Sequence, residues 1–129
     1  MKLALDTNAY RAHIESNPVL LVQAQNAQEL GLPVVVIGEL RFGFLNGTRL
    51  KQNEDLLARF LGEPRVRILH LTMETTWQFG EVATLLRRKG AALSQNDIWI
   101  AALCKQYGYA LATRDRDLRH VLGLQIVDF

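Results

Sequence analysis

The chain has 129 residues, 49% of them apolar, and a net charge of +2 at neutral pH. That length supports one domain with a proper core and is too short for two ordinary ones, while so small a net charge does not by itself identify a nucleic-acid binder. With a single cysteine, Cys104, no intramolecular disulfide can form, and a reducing cytoplasm is the expected setting.

Met1 leads directly into Lys2-Leu3-Ala4-Leu5, with neither an apolar h-region nor a small-residue cleavage site behind it. This segment is therefore expected to be a buried strand rather than a leader, and no window has the length and hydropathy of a membrane span. In chain order, the pattern predicts a strand at Leu3 to Leu5, helices over Thr7 to Ser16 and Pro18 to Leu30, and a strand at Val34 to Val36. Helices over Ile37 to Leu45 and Thr48 to Leu61 follow, then a strand at Val66 to Leu69. Helices over Thr72 to Lys89 and Asn96 to Tyr107 precede two last strands, Tyr109 to Ala112 and Gln125 to Val127. Asn17 before Pro18 marks a helix start, while Gly31, Gly90 and Gly108 suit left-handed stops. Cys104 falls inside an amphipathic helix and is read as buried and inert.

Strands alternating with helices argue for a mostly parallel sheet of about five strands with helices on both faces. Ligands of such sheets bind beyond the C-terminal ends of the strands. Four acids fall there. Asp6 ends the first strand, Glu39 lies just past the second, Asp97 opens a helix, and Asp115 follows Ala110-Leu111-Ala112. Each has a plainer alternative. Asp6 could simply cap a helix, Asp97 could answer the helix dipole, Glu39 could pair with Arg41, and Asp115 could be a turn residue between Arg114 and Arg116. Carboxylates gathered at one place repel one another, so a hard divalent cation is the simplest reason to assemble them. His13, His70 and His120 lie far apart and offer no competing ligand set.

Leu5-Asp6-Thr7-Asn8, Val36-Ile37-Gly38-Glu39-Leu40-Arg41-Phe42-Gly43, Ser94-Gln95-Asn96-Asp97-Ile98-Trp99-Ile100-Ala101-Ala102 and Ala112-Thr113-Arg114-Asp115-Arg116-Asp117-Leu118 stand in order along the chain. In that order and spacing they resemble the four motifs of PIN-domain ribonucleases, most closely the toxin members of bacterial VapBC toxin-antitoxin pairs. The resemblance covers essentially the whole chain, residues 1–129, as a single domain. It implies a three-layer PIN-like α/β sandwich. It also implies an acidic quartet of Asp6, Glu39, Asp97 and Asp115, with the hydroxyls of Thr7 and Thr113 in support. Asp117 is the alternative for the fourth acid if the loop is shifted by two residues.

Carboxylate oxygens and water suit Mg²⁺, with Mn²⁺ as a substitute. On this basis Asp6, Asp97 and Asp115 are expected to hold one or two ions, with Glu39 ligating or acting through water. The expected activity is endoribonucleolytic attack by water on a phosphodiester, and the resemblance implies 3′-hydroxyl and 5′-phosphate ends. Arg11, Arg41, Arg114 and Arg116 are the candidate phosphate contacts, although a solvated face is the ordinary reading of clustered basic residues. Among the aromatic residues near the motifs, most are expected in the core. The resemblance further implies a homodimer and a VapB-like antitoxin whose C-terminal segment occupies a groove, giving a toxin-antitoxin hetero-oligomer. The competing functions are a stand-alone PIN nuclease of RNA processing, a non-catalytic RNA- or protein-binding PIN module, and a phosphatase acting on small substrates.

Overall fold

The computed structural model describes residues 1–129. Five strands, β1 (Lys2–Leu5), β2 (Glu29–Pro33), β3 (Val66–Leu69), β4 (Ala110–Ala112) and β5 (Ile126–Val127), form one sheet in the order β3-β2-β1-β4-β5. Every pairing is parallel. Six helices connect them: α1 (Thr7–Ile14), α2 (Pro18–Asn26), α3 (Val34–Leu45), α4 (Leu50–Leu61), α5 (Met73–Lys89) and α6 (Gln95–Tyr107), with a 3₁₀ turn at Arg116–His120. No helix is long and apolar enough to cross a membrane.

The topology places the site. From β1 the chain steps outward to β2 and β3, then returns across both to lay β4 on the far side of β1. With right-handed crossovers this reversal sends α1 to α4 to one face and α5 and α6 to the other. Leu3, Ala4, Leu5, Leu32, Leu111 and Ala112 are completely buried in consequence, as a sheet covered on both faces requires. The switch of direction lies between β1 and β4, and the crevice of such a sheet lies beyond their C-terminal ends. Asp6 follows one of those strands and Thr113 the other.

Helix α6 lies across β2, β3 and β4 and packs along α5. The Thr72 and Thr75 hydroxyls at the start of α5 bond to Gln106 near the end of α6, with Gln106 Nε2 donating to Thr72 at 2.8 Å. Gly90 and Gly108 end α5 and α6 with φ of 68° and 76°, the left-handed stops expected of them.

One strand lies earlier than the apolar pattern suggests. Val34 to Val36 were expected to form β2 but open α3, and Leu30 to Leu32, expected at a helix end, form the strand. Two tertiary effects account for the shift. Arg65, far along the chain, donates its Nη1 to the carbonyls of Ala24 and Ala27 at 3.0 and 2.7 Å, satisfying the end of α2 early. Gln28 N–H then bonds to Met1 O at 2.8 Å and starts the sheet ladder. The helical penalty of three valines is less than about 1 kcal/mol each, which the burial of Val36 and Ile37 can offset. Pro33 has no N–H for a longer ladder and stands as the N-cap of α3.

Gly31 is therefore a strand residue rather than a helix stop, and its reason is space. A Cβ there would stand 2.8 Å from Tyr109 Cε2 and 3.2 Å from Leu69 Cδ1. The Tyr109 ring cannot readily swing aside, because its hydroxyl donates to Glu29 at 2.8 Å. Gly31→Ala should therefore destabilise the fold by about 1–3 kcal/mol through overpacking, as read by urea denaturation. A loss below about 0.5 kcal/mol, the size of an ordinary surface change, would show that the ring moves freely.

Candidate active site

Asp6 leaves β1 in an extended conformation and caps α1, its carboxylate accepting the Ala9 N–H at 2.8 Å. It is also only 8% exposed. Burial raises its pKa above the usual carboxylate value, hydrogen bonds from Thr113 and Ala9 oppose the shift, and the charges of Asp97 and Glu39 add to it. The capping role expected of an Asp at this place is real, and it coexists with a buried charge that needs compensation.

Glu39 sits in the second turn of α3, farther past its strand than expected because β2 ends at Pro33. Its carboxylate accepts the Thr7 hydroxyl at 2.9 Å, which joins α3 to the first residue of α1. Asp97 lies in the first turn of α6, where the Ser94 hydroxyl accepts the Asp97 N–H at 3.2 Å and donates to its carboxylate at 2.9 Å. Burial raises the Asp97 pKa, Ser94 opposes, and the charges of Asp115 and Glu39 push it further up.

These three acids line one hollow of about 630 Å³, together with Thr7, Asn8, Arg11 and Asn96. Val35, Phe42 and Ile100 form its apolar wall. Gly38 faces the same space, and a Cβ there would meet nothing within 4 Å. Asp115 does not line the hollow. It stands beside it, close enough to act on Asp97, and it caps the 3₁₀ turn by accepting the Asp117 N–H at 3.0 Å. The buried Thr113 hydroxyl accepts the Asp115 N–H at 3.0 Å and lies near enough to the Asp6 carboxylate to oppose the rise in its pKa. Asp117 is exposed, and its backbone closes the turn.

The four arginines separate. Arg11 lines the hollow. Arg41 turns away to α4, where its Nε and Nη2 each lie 3.1 Å from Glu54, so it does not pair with Glu39. Arg114 lies over the Phe129 ring at 4.4 Å from the centroid, and Arg116 is exposed. Of the aromatic residues, Tyr10 and Phe44 are core, Phe79 and Trp99 stack at 4.1 Å, and Phe42 and Trp77 stand 72% and 70% exposed. Cys104 is completely buried and its thiol pKa is pushed up by burial, consistent with an inert side chain.

Sequence reasoning missed Ser94, Asn8, Asn96 and Gly38. Ser94 was detectable, because a serine three residues before an acid at a helix start is a capping pattern. The other three carry no local signal.

The donors suit a hard cation. All are oxygens, two of the acids are harder to ionise than usual, and no lysine or arginine forms an ion pair with any of the four. No three acidic, histidine or cysteine side chains form a closed metal site as they stand.

A family model described as the PIN domain matches residues 3–124. The chain belongs to the PIN-domain family. All four acids lie within the matched span. Ribonuclease VapC2 of Rickettsia felis is 31% identical over 104 residues, covering 76% of this chain and 75% of that one, and places it in the VapC branch of the family. VapC ribonuclease Y4jK of Sinorhizobium fredii is 25% identical over 98% of this chain and 96% of its own. Among solved structures, VapBC2 from Rickettsia felis, bound to a DNA fragment from its promoter, superposes with a TM-score of 0.85 at 24% identity. That match covers 99% of this chain and 98% of the other, and bears on the PIN fold alone.

The raised pKa of Asp97 carries a stability consequence. Below the unfolded value of 3.8 both states are protonated and no penalty exists. As pH rises through 3.8 toward the folded pKa, the unfolded chain ionises first, so the folded state loses stability, and the loss is complete once pH exceeds the folded pKa. Asp97→Asn should therefore raise the Tm of metal-free protein at pH 7, with the gain shrinking below about pH 4. Thermal denaturation in EDTA across this range checks it, and a lower Tm for the variant at pH 7 would refute the electrostatic account.

Proposed function

We propose that this protein is a metal-dependent endoribonuclease, the toxin of a VapBC-type toxin-antitoxin pair. The observation that carries this reading is the convergence of Asp6, Glu39 and Asp97 on one hollow at the switch point of a PIN-domain sheet, with no cation of the protein neutralising them. Relatives named as VapC ribonucleases support the choice of RNA as substrate.

Mg²⁺, or Mn²⁺ in its place, would neutralise charge on the scissile phosphate and make an attacking water more acidic. Asp6, Asp97 and Asp115 would hold it, with Glu39 acting through water. The chain's own part is to keep these carboxylates ionised and aimed. Thr113 and the Ala9 N–H steady Asp6, Ser94 steadies Asp97, and Thr7 fixes Glu39. Asp115 is preferred to Asp117 as the fourth acid because its charge reaches Asp97. Water attacking the phosphorus in line with O3′ would form the new P–O bond as the P–O3′ bond breaks, and O3′ would take up a proton, leaving a 5′-phosphate and a 3′-hydroxyl.

A VapB-like antitoxin is the proposed partner, supported by solved relatives that are VapBC complexes. Two exposed apolar groups are available to protein partners: Phe42 with Leu45 on α3, and Met73 with Trp77 on α5. A homodimer and a cytoplasmic location belong to the same proposal.

Purified protein freed of antitoxin should cut total cellular RNA at discrete positions with Mg²⁺ and not with EDTA, and Asp6→Asn or Asp97→Asn should abolish the cuts. Undiminished cleavage by both variants would remove the acidic site from the mechanism. Thr7→Val keeps the shape of the side chain but frees Glu39, and should lower kcat/KM by about 10–100-fold, the usual effect of losing a group that orients a ligand. Single-turnover cleavage of a mapped substrate measures this, and an unchanged rate would mean that Glu39 needs no such support.

A further inference from the structure

A polymer of phosphates approaching a group of carboxylates is repelled unless cations meet it outside the group itself. Most of the arginines whose contacts are resolved are already engaged. Arg41 is held by Glu54, Arg119 pairs with Asp128, and Arg65 and Arg67 are bonded to backbone carbonyls. Arg11 differs. It is exposed, and its guanidinium makes neither a hydrogen bond nor an ion pair. It lies against Gly43, where a Cβ would come within 3.2 Å of Nη2. The missing side chain lets the guanidinium rest on α3 at the rim of the acidic hollow.

On its other side Arg11 enters a second hollow of about 410 Å³, which also contains Asn8, Asn17 and Arg114. Arg11 and Asn8 line both spaces, so the two are neighbours along this edge. Arg114 is aimed by the Phe129 ring beneath it and by a bond from Nε to Phe129 O at 3.4 Å, which leaves its terminal nitrogens free. The Asn17 amide oxygen caps α2 through Leu20 N–H, leaving the amide nitrogen as a donor. Glu15 is the only carboxylate on this wall. Two guanidinium groups and two amides around one small space form a set of donors suited to phosphate oxygens.

We infer that Arg11 and Arg114 together hold a backbone phosphate of the RNA strand next to the one being cut. The inference rests on the ribonuclease reading and deepens it: the strand runs from the acidic hollow over Asn8 and Arg11 into the basic one. Arg41 has no part in this path, and Arg116, outside both hollows, adds only general attraction. Arg114 is a positioning residue, because it meets the strand and not the reacting atoms.

Arg114→Gln separates this role from catalysis. On a mapped single-stranded substrate the variant should raise KM several-fold and leave kcat unchanged, while a minimal fragment too short to reach the second hollow should show no change. Binding is measured separately on Asp97→Asn protein at constant Mg²⁺. There, Arg114→Gln should reduce the slope of log affinity against log monovalent salt by about 0.7, the value for one lost contact to a single strand, and Arg114→Lys should restore it. If the wild type cuts RNA but Arg114→Gln leaves KM and the salt slope unchanged, the subsite is wrong and the ribonuclease stands. A loss of kcat with KM unchanged would equally overturn the subsite. If the wild type does not cut RNA and the slope still falls, the ribonuclease reading fails and the phosphate contact stands. If neither is seen, both fail.

Discussion

β1 ends at Leu5, which has no exposed surface, and the next residue is a carboxylate that is only 8% exposed. An ionised group at such a place loses water on most sides. Its compensation is partial: one backbone N–H, one hydroxyl and no cation. Asp97 and Glu39 face the same space and worsen the deficit. The surroundings follow from this constraint. Each of the three acids on the hollow has a donor from a neighbouring element or cap, and the hollow itself has room for a hydrated ion. The repulsion among these carboxylates is the physical reason a divalent cation is proposed for the hollow.

The supporting hydroxyls show how a fold built for packing becomes specific about charge. Thr7 opens α1, Ser94 caps α6 and Thr113 follows β4, so each would have a local role in a protein without a site. Because the C-terminal ends of parallel strands and the N-termini of the next helices meet at one edge, these local groups also come to that edge. Thr113 holds the Asp115 backbone and lies beside Asp6 at the switch point. Helix dipoles at α1 and α6 add favourable potential for the acids they carry. On the proposed mechanism, stability and function draw on the same hydrogen bonds, so loss of one of these hydroxyls bears on both.

The basic side chains are arranged around the acids without neutralising them. An arginine in direct contact with Asp6 or Asp97 would lower their need for a metal. Arg41, two residues after Glu39 on α3, is drawn off by Glu54, while Gly43 makes room for Arg11 at the rim. Attraction for a polyanion is thus kept at the edge of the acidic hollow, and the centre remains short of positive charge.

The places of Asp6, Asp97 and Asp115 beside strand and helix ends could be read from sequence, because capping residues, turn glycines and apolar runs act over a few positions, whereas Glu39 lies a turn deeper in its helix than the pattern suggested. Asp6, Ser94, Gly90 and Gly108 do locally what such residues do in any chain. The alternation of strands and helices was enough for a parallel sheet with the acids on one edge. Only the tertiary structure decided where β2 lies, since the end of α2 is satisfied by Arg65 from the entry to β3 and Gly31 is required by the Tyr109 ring. It alone decided that Asp115 stands beside the hollow, that Arg41 belongs to Glu54, and that Arg11 and Arg114 share a space. The physical reason is reach: a cap is fixed by neighbours in the chain, whereas a long flexible side chain takes whichever partner the packing of distant elements brings within hydrogen-bonding distance.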